Sequence, residues 1–171
     1  EGGMRVPCVV RWPGKIPAGS SSDALTSTLD VLPTFAALAG GNAPLGRLID
    51  GKNIWPVLSG QTKADPREAF YYYQMDQLQA VRSGDWKLFL QMESKKRNWG
   101  KPEGRQSMKL FNLSNDIHED KNLALENPAI VERLLEYAGK ARADLGDVGI
   151  KGEGQRTAGW VEKPSPRLLK K

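Results

Sequence analysis

Gln77-Leu78-Gln79-Ala80-Val81-Arg82-Ser83-Gly84-Asp85-Trp86-Lys87-Leu88-Phe89-Leu90-Gln91 reads as two strands folded on a tight turn. Side chains alternate between the two faces of a strand. Leu78 and Ala80 therefore fall on one face of the first strand, with Gln79 and Val81 on the other. Trp86, Leu88 and Leu90 line one face of the second strand, with Lys87, Phe89 and Gln91 opposite. Ser83-Gly84-Asp85 supplies turn chemistry of the kind that joins antiparallel neighbours. Working outward, residues 69–75 are aromatic and strand-like, and residues 108–113 form a further apolar run. The polar, basic stretch 93–107 reads as a loop. The sum is an antiparallel meander of about four strands, a size that is stable once one face is covered.

The cover is a helix expected over 128–144. Asn127 stands at the N-cap, Pro128 at the first helical position, and Ile130, Leu134, Ala138 and Ala141 on one stripe that Val131 and Leu135 widen. Gly139 weakens this helix by roughly 1 kcal/mol relative to alanine, so its C-terminal end is expected to fray. Trp86 is expected to pack beneath it, and about half of Phe70-Tyr71-Tyr72-Tyr73 to face it. From Gly146 onward Gly, Pro and Lys dominate, which predicts an extended tail.

Before the meander the pattern changes. Residues 5–11, with Val6, Cys8, Val9 and Val10, read as a buried strand, and Pro7 places its start or an edge. Asp30 reads as the N-cap of a helix with Pro33 in its first turn and Gly40-Gly41 at its end; Leu32, Phe35, Ala36 and Ala39 are its apolar face. Ile54-Trp55-Pro56-Val57-Leu58 adds a short helical turn. The expected class is α+β. A small antiparallel sheet packed by a C-terminal helix occupies residues 63–146. A strand and helix belonging to a larger α/β unit occupy 1–62, and a basic tail occupies 147–171.

Composition bounds the function. A 39% hydrophobic and 26% charged chain has the make-up of a globular protein, and no run reaches the apolar length of a membrane helix. The net charge is +5, and Lys95, Lys96, Arg97, Lys101 and Arg105 cluster in one stretch. No nucleic-acid motif frames them, so nucleic acid is not an expected partner. One cysteine allows neither an internal disulfide nor a zinc cluster, and Cys8 reads as a buried structural thiol. His118, the one histidine, reads as an exposed turn residue. Asn112-Leu113-Ser114 matches a glycosylation tripeptide that is common by chance.

Several islands then stand in order: Glu1-Gly2-Gly3-Met4-Arg5-Val6-Pro7 through Trp12-Pro13-Gly14; Asp30-Val31-Leu32-Pro33-Thr34 with Leu38-Ala39-Gly40; Asp50-Gly51 with Pro56-Val57-Leu58-Ser59-Gly60; Ala80 to Leu88; and Leu110-Phe111-Asn112-Leu113 with Asp116, Glu119 and Asn122-Leu123-Ala124. Their order and spacing resemble the C-terminal portion of the arylsulfatase family, within the alkaline phosphatase-like superfamily, over roughly residues 1–145. Ile117, where the family often has proline, and Asn112, where it often has aspartate, are small departures in a turn region.

That resemblance implies a sulfuric ester hydrolase. Such enzymes use a formylglycine made from cysteine or serine together with calcium or magnesium. Sulfate monoesters repel nucleophiles, so cations must offset charge at the reacting centre. The modification motif, Cys or Ser-x-Pro-x-Arg, fails at Cys8-Val9-Val10-Arg11. The resemblance puts the metal ligands, the nucleophile and the lysine preceding Glu-Gly-Gly upstream of residue 1, in an N-terminal catalytic domain that is this chain's expected partner. It therefore implies no catalytic or metal residue here, and the piece alone is expected to be inactive. Glu1 and Arg5 are candidates for supporting the pocket from behind. Lys95, Arg97 and Lys101 are candidates for a substrate rim facing a sulfated small molecule or glycan. Family habit implies an extracytoplasmic site of action, without a membrane partner. Cut from its neighbours, the chain is expected to dimerise through residues 5–11 or to hold its first sixty residues loosely. A phosphoester or phosphonate hydrolase of the same superfamily, and a stand-alone basic polyanion-binding module, are the competing readings.

Overall fold

The computed structural model describes residues 1–44, 46, 48–91, 107–157 and 159–165. Its centre is the expected meander: β1 (Phe70–Gln74), β2 (Gln77–Ser83), β3 (Trp86–Phe89) and β4 (Lys109–Asn112), hydrogen-bonded in sequence order and antiparallel throughout. The two-residue β2–β3 connection turns on Gly84 at φ 55, a backbone region that residues with a Cβ enter at a cost. α3 (Pro128–Leu145) lies across one face of the sheet, and Leu78, Val81, Leu88, Leu90, Leu110, Leu134, Ala138 and Ala141 form the core between them. Tyr71, Tyr73 and Trp86 pack at its margin.

The face assignment in β2 differs from simple alternation. The β1–β2 register shifts between Tyr72 and Tyr73, so that Tyr72 pairs with Ala80 and Tyr73 with Leu78. One extra residue on a strand moves the following side chains to opposite faces. Leu78 and Val81 therefore both enter the core beneath α3, while Ala80 is paired on one side with Tyr72 and on the other with Phe89.

Asn127 sits at the N-cap of α3, but its side chain makes no capping bond and its amide instead donates to the Leu123 carbonyl at 3.1 Å. At the other end the expected fraying is absent. The helix runs to Leu145 and is closed by a small hairpin, β5 (Gly146–Asp147) and β6 (Ile150–Lys151), where the sequence predicts an extended tail. Side-chain bonds from outside the tail explain the difference. The Tyr73 hydroxyl donates to the Gly146 carbonyl at 2.8 Å. Asp147 accepts from Arg142 Nε at 2.8 Å and from the Leu78 amide at 3.1 Å. The guanidinium's hydrogen bond leads the effects that outweigh burial and hold the Asp147 carboxyl below the usual range.

In the first third of the chain, α1 (Val31–Leu38) and α2 (Trp55–Leu58) are present as expected. A 3-10 turn, Thr28–Asp30, precedes α1, and Ser27 caps it through a reciprocal box with Asp30. Asp30 occupies the N-cap position of α1, as expected, but its side chain makes no capping bond. It is fully buried, and its carboxylate accepts from the Ser27 amide at 2.7 Å, from the Lys52 amide at 2.8 Å and from the Arg67 guanidinium. Thr34 Oγ1 completes this node by donating to the Asp30 carbonyl at 2.6 Å and accepting from the Ile54 amide at 3.0 Å. Gly51 is forced by the same approach: a Cβ there would stand 2.0 Å from the Leu29 carbonyl oxygen.

Residues 5–11 carry no strand. A strand exists through its ladder, and no described residue pairs with this segment. Cys8 is accordingly exposed, not buried. Val9 is 95% and Phe35 62% exposed, and Val10, Trp12, Phe35, Leu38 and Trp55 line an open apolar groove. The described residues include no helix long and apolar enough to cross a membrane.

Candidate functional site

The sheet face turned away from α3 carries Tyr72, Arg82, Lys87, Phe89 and Phe111, placed there by the period of two and by the shifted register. Lys87 is the centre. Its side chain is 3% exposed, and Nζ lies 2.7 Å from Glu1 Oε1 and 2.9 Å from Glu119 Oε1. The ammonium also stands 4.6 Å from the ring centroids of both Tyr72 and Phe89, whose π-faces favour a cation. Arg82 donates from Nε to the Gly84 carbonyl at 3.0 Å and directs a second nitrogen toward Glu1 Oε2 at 3.8 Å. The backbone nitrogen of Glu1 lies 3.2 Å from Glu119 Oε2.

Each acid arrives by a turn. Glu1-Gly2-Gly3-Met4-Arg5 folds back so that the Glu1 carbonyl accepts from the amides of Met4 at 2.8 Å and Arg5 at 2.9 Å. Glu119 sits at φ 61, a conformation uncommon for a residue with a Cβ. The Asp116 carboxylate fixes that turn by accepting from the amides of Asp120 at 3.0 Å and Lys121 at 2.9 Å. Those backbone hydrogen bonds pull the Asp116 carboxyl below its usual range.

The electrostatics follow from enclosure. Burial works against charge on Glu1, but the hydrogen bond and charge of Lys87, then the charge of Arg82, outweigh it and lower the Glu1 carboxyl. Burial likewise opposes charge on Lys87, yet its bonds to Glu1 and Glu119 push the ammonium up. Burial, then the Glu1 charge, raises the Tyr72 phenol. The signs fix a pH profile. Glu1 is depressed in the folded state, so its stabilising contribution is complete above its unfolded value and lost as pH falls through the folded one. Lys87 is raised, so its contribution is complete below the unfolded value and lost as pH rises through the folded one. The cluster's contribution to stability is therefore expected to be flat from about pH 5 to 9 and to fall only below about pH 4 and above about pH 10. Urea midpoints of the chain and of Lys87→Met across pH check this: the difference between them should shrink below about pH 4 and above about pH 10.

Of the residues singled out in the sequence, Glu1 enters the cluster with its side chain about 6% exposed. Arg5 does not, and pairs loosely with Asp23 at 3.8 Å on the surface. Lys95, Arg97 and Lys101 lie outside the described residues. His118 is exposed, in the turn before Glu119. Lys87, Arg82 and Glu119 were not sequence candidates. Alternation places Lys87 opposite Leu88, but a lysine on the second face of a sheet reads as solvated unless two distant carboxylates are known to reach it.

Among the described residues no three His, Cys, Asp or Glu side chains come together as a metal-binding group. The cluster holds two carboxylates already neutralised by Lys87 and Arg82. The residues of this cluster do not fit a calcium ion, and Cys8-Val9-Val10-Arg11 does not fit formylglycine formation.

The model of the family described as N-sulphoglucosamine sulphohydrolase, C-terminal, matches residues 1–137. Arylsulfatase G of Canis lupus familiaris is 33% identical over 178 residues, covering 96% of this chain and 32% of that protein. Steryl-sulfatase of Mus musculus is 44% identical over 93 residues, covering 52% of this chain and 15% of the relative. A 6S-sulf protein from a Bacteroides thetaiotaomicron locus for the metabolism of multiple glycosaminoglycans superposes with a TM-score of 0.60 at 25% identity, over 78% of this chain and 28% of that one. Ps i-CgsB in complex with k-i-k-neocarrahexaose superposes at 0.56 and 29% identity, over 75% and 27%. The chain thus spans about a third or less of the length of these relatives. The order of the sequence islands, the meander under α3 and a family match from Glu1 to Tyr137 agree: the chain belongs to the N-sulphoglucosamine sulphohydrolase C-terminal family, the C-terminal portion of arylsulfatase-type sulfatases.

Proposed function

We propose that this chain is the C-terminal part of an enzyme that hydrolyses sulfate esters, with the formylglycine nucleophile and the divalent cation supplied by sequence N-terminal to Glu1. The observation that carries the reading is that a sulfatase family matches residues 1–137 while the chain covers 32% of Arylsulfatase G; the Glu1 carboxylate buried on Lys87 of the C-terminal sheet supports it. In this reading the chain's chemical role is to hold its neighbour. The Glu1-Gly2-Gly3 turn leads into the catalytic part, and the sheet fixes where that turn lies. By itself the chain binds no cation and turns over no ester.

The substrate is a sulfated small molecule or glycan, and sulfated saccharides are the first class to try. That choice draws on the glycosaminoglycan locus and the neocarrahexaose complex of two structural relatives. The site of action is extracytoplasmic. A longer polypeptide carrying this chain should release sulfate from 4-nitrophenyl sulfate and from a sulfated saccharide, and release phosphate from 4-nitrophenyl phosphate at least about 100-fold more slowly, a discrimination of about 2.7 kcal/mol. Preference for the phosphate ester would instead place the chain with the phosphoester hydrolases of the same superfamily.

A further inference from the structure

The Glu1–Lys87–Glu119 cluster is costly to build. A buried ion pair seldom outdoes a hydrophobic replacement in stability, and Tyr72, Phe89 and Phe111 already make this face of the sheet apolar enough to pack an aliphatic side chain at position 87. Glu119 adds backbone strain at φ 61, held by a separate turn whose carboxylate, Asp116, is spent on two amides. The Asp116 turn, Glu119 and Lys87 are links of one chain of contacts that ends on Glu1. From Glu1 the contacts also continue into its own turn, through the amides of Met4 and Arg5.

We propose that Lys87 and Glu119 are positioning residues for the sulfatase reaction. They fix the Glu1-Gly2-Gly3 turn on the C-terminal sheet, and with it the course of the chain on the catalytic side of Glu1, without touching substrate. The proposal rests on the sulfatase reading above. Lys87 is the primary member because, among the described residues, it alone contacts both carboxylates and two aromatic faces. Glu119 keeps the ammonium from leaning wholly toward Glu1, so the turn is held from two sides. Misplacement of a reacting group by about 1 Å costs on the order of 100-fold in rate, so loosening this anchor acts on turnover more than on substrate affinity.

Two experiments test this. In the longer enzyme, Lys87→Met, Lys87→Arg and Glu119→Gln are compared for kcat and KM with 4-nitrophenyl sulfate. Lys87→Met is expected to lower kcat about 10- to 100-fold with KM within about twofold, and Lys87→Arg, which keeps the cation, to recover most of the loss. In the 171-residue chain, NMR hydrogen exchange of the Met4 and Arg5 amides is expected to quicken in Lys87→Met and Glu119→Gln, while Leu88 and Leu110 keep their protection. Unchanged kcat in a folded Lys87→Met enzyme overturns the proposal, and so does unchanged exchange at Met4 and Arg5. Should Lys87→Met not fold, Glu119→Gln and Lys87→Arg decide it by the same readouts. If the wild-type longer enzyme releases no sulfate, the sulfatase reading fails, and the exchange measurement still tells whether the anchor exists.

Discussion

Asp30→Ala is expected to destabilise the chain by about 3–5 kcal/mol, the cost of stripping one partner from a buried ion pair. The carboxylate is completely buried and satisfies three donors from three parts of the chain: the Ser27 amide, the Lys52 amide and the Arg67 guanidinium. Truncation leaves Arg67, whose side chain is 9% exposed, with the Leu25 carbonyl at 2.8 Å and the Phe70 ring at 5.8 Å in place of an opposite charge. Two backbone N–H groups also lose their acceptor, at about 1–3 kcal/mol for each one kept from water. The damage should be local first. Asp30 ties the 3-10 turn and the Lys52 segment to Arg67, the residue from which the chain enters β1, so residues 27–54 should lose exchange protection before the sheet does. A double-mutant cycle with Arg67→Ala gives the decisive sign: the double variant should be less destabilised than the sum of the singles. Additivity would mean that the pair is not coupled.

Leu134→Ala is expected to cost about 3–5 kcal/mol, with Tm lower by roughly 6–20 °C. Leu134 is wholly buried at the centre of α3 among core residues from β2, β3 and β4. The four strands hold the opposite wall, so the space left by the deleted side chain cannot readily close. Leu125 is the control. It is equally apolar but 97% exposed, and Leu125→Ala should stay within about 0.5 kcal/mol of the parent. Thermal denaturation of both variants checks the pair. Similar small losses in the two would mean that α3 is not the cover of the sheet.

The parts of this fold that could be read in the sequence are those in which a repeat carries the signal. The period of two over residues 77–91 and the helical stripe of Leu134, Ala138 and Ala141 each report one buried face, and burial is what the pattern records. Features that depend on a single side chain reaching across the chain left no such trace. Asp30 has the spacing of an N-cap, yet Lys52 and Arg67 claim its carboxylate from 22 and 37 residues away. The hairpin after α3 depends on Tyr73, 73 residues before the carbonyl it binds. The Lys87 cluster required two acids separated by 118 positions, counting from Glu1 to Glu119. The one-residue shift in β2 is invisible to an alternation that has two apolar residues, Ala80 and Val81, side by side. Residues 5–11 show the opposite failure. Their apolar run predicts a buried strand, yet no described residue pairs with them, and Cys8 and Val9 face outward.

We infer that this chain holds its catalytic neighbour and turns over no ester itself. Sulfate release from a sulfate ester, measured side by side for the 171-residue chain and for a longer polypeptide that carries it, both with calcium present, decides the matter. Turnover by the longer polypeptide and none by the chain alone is the predicted result; turnover by the chain alone would contradict it.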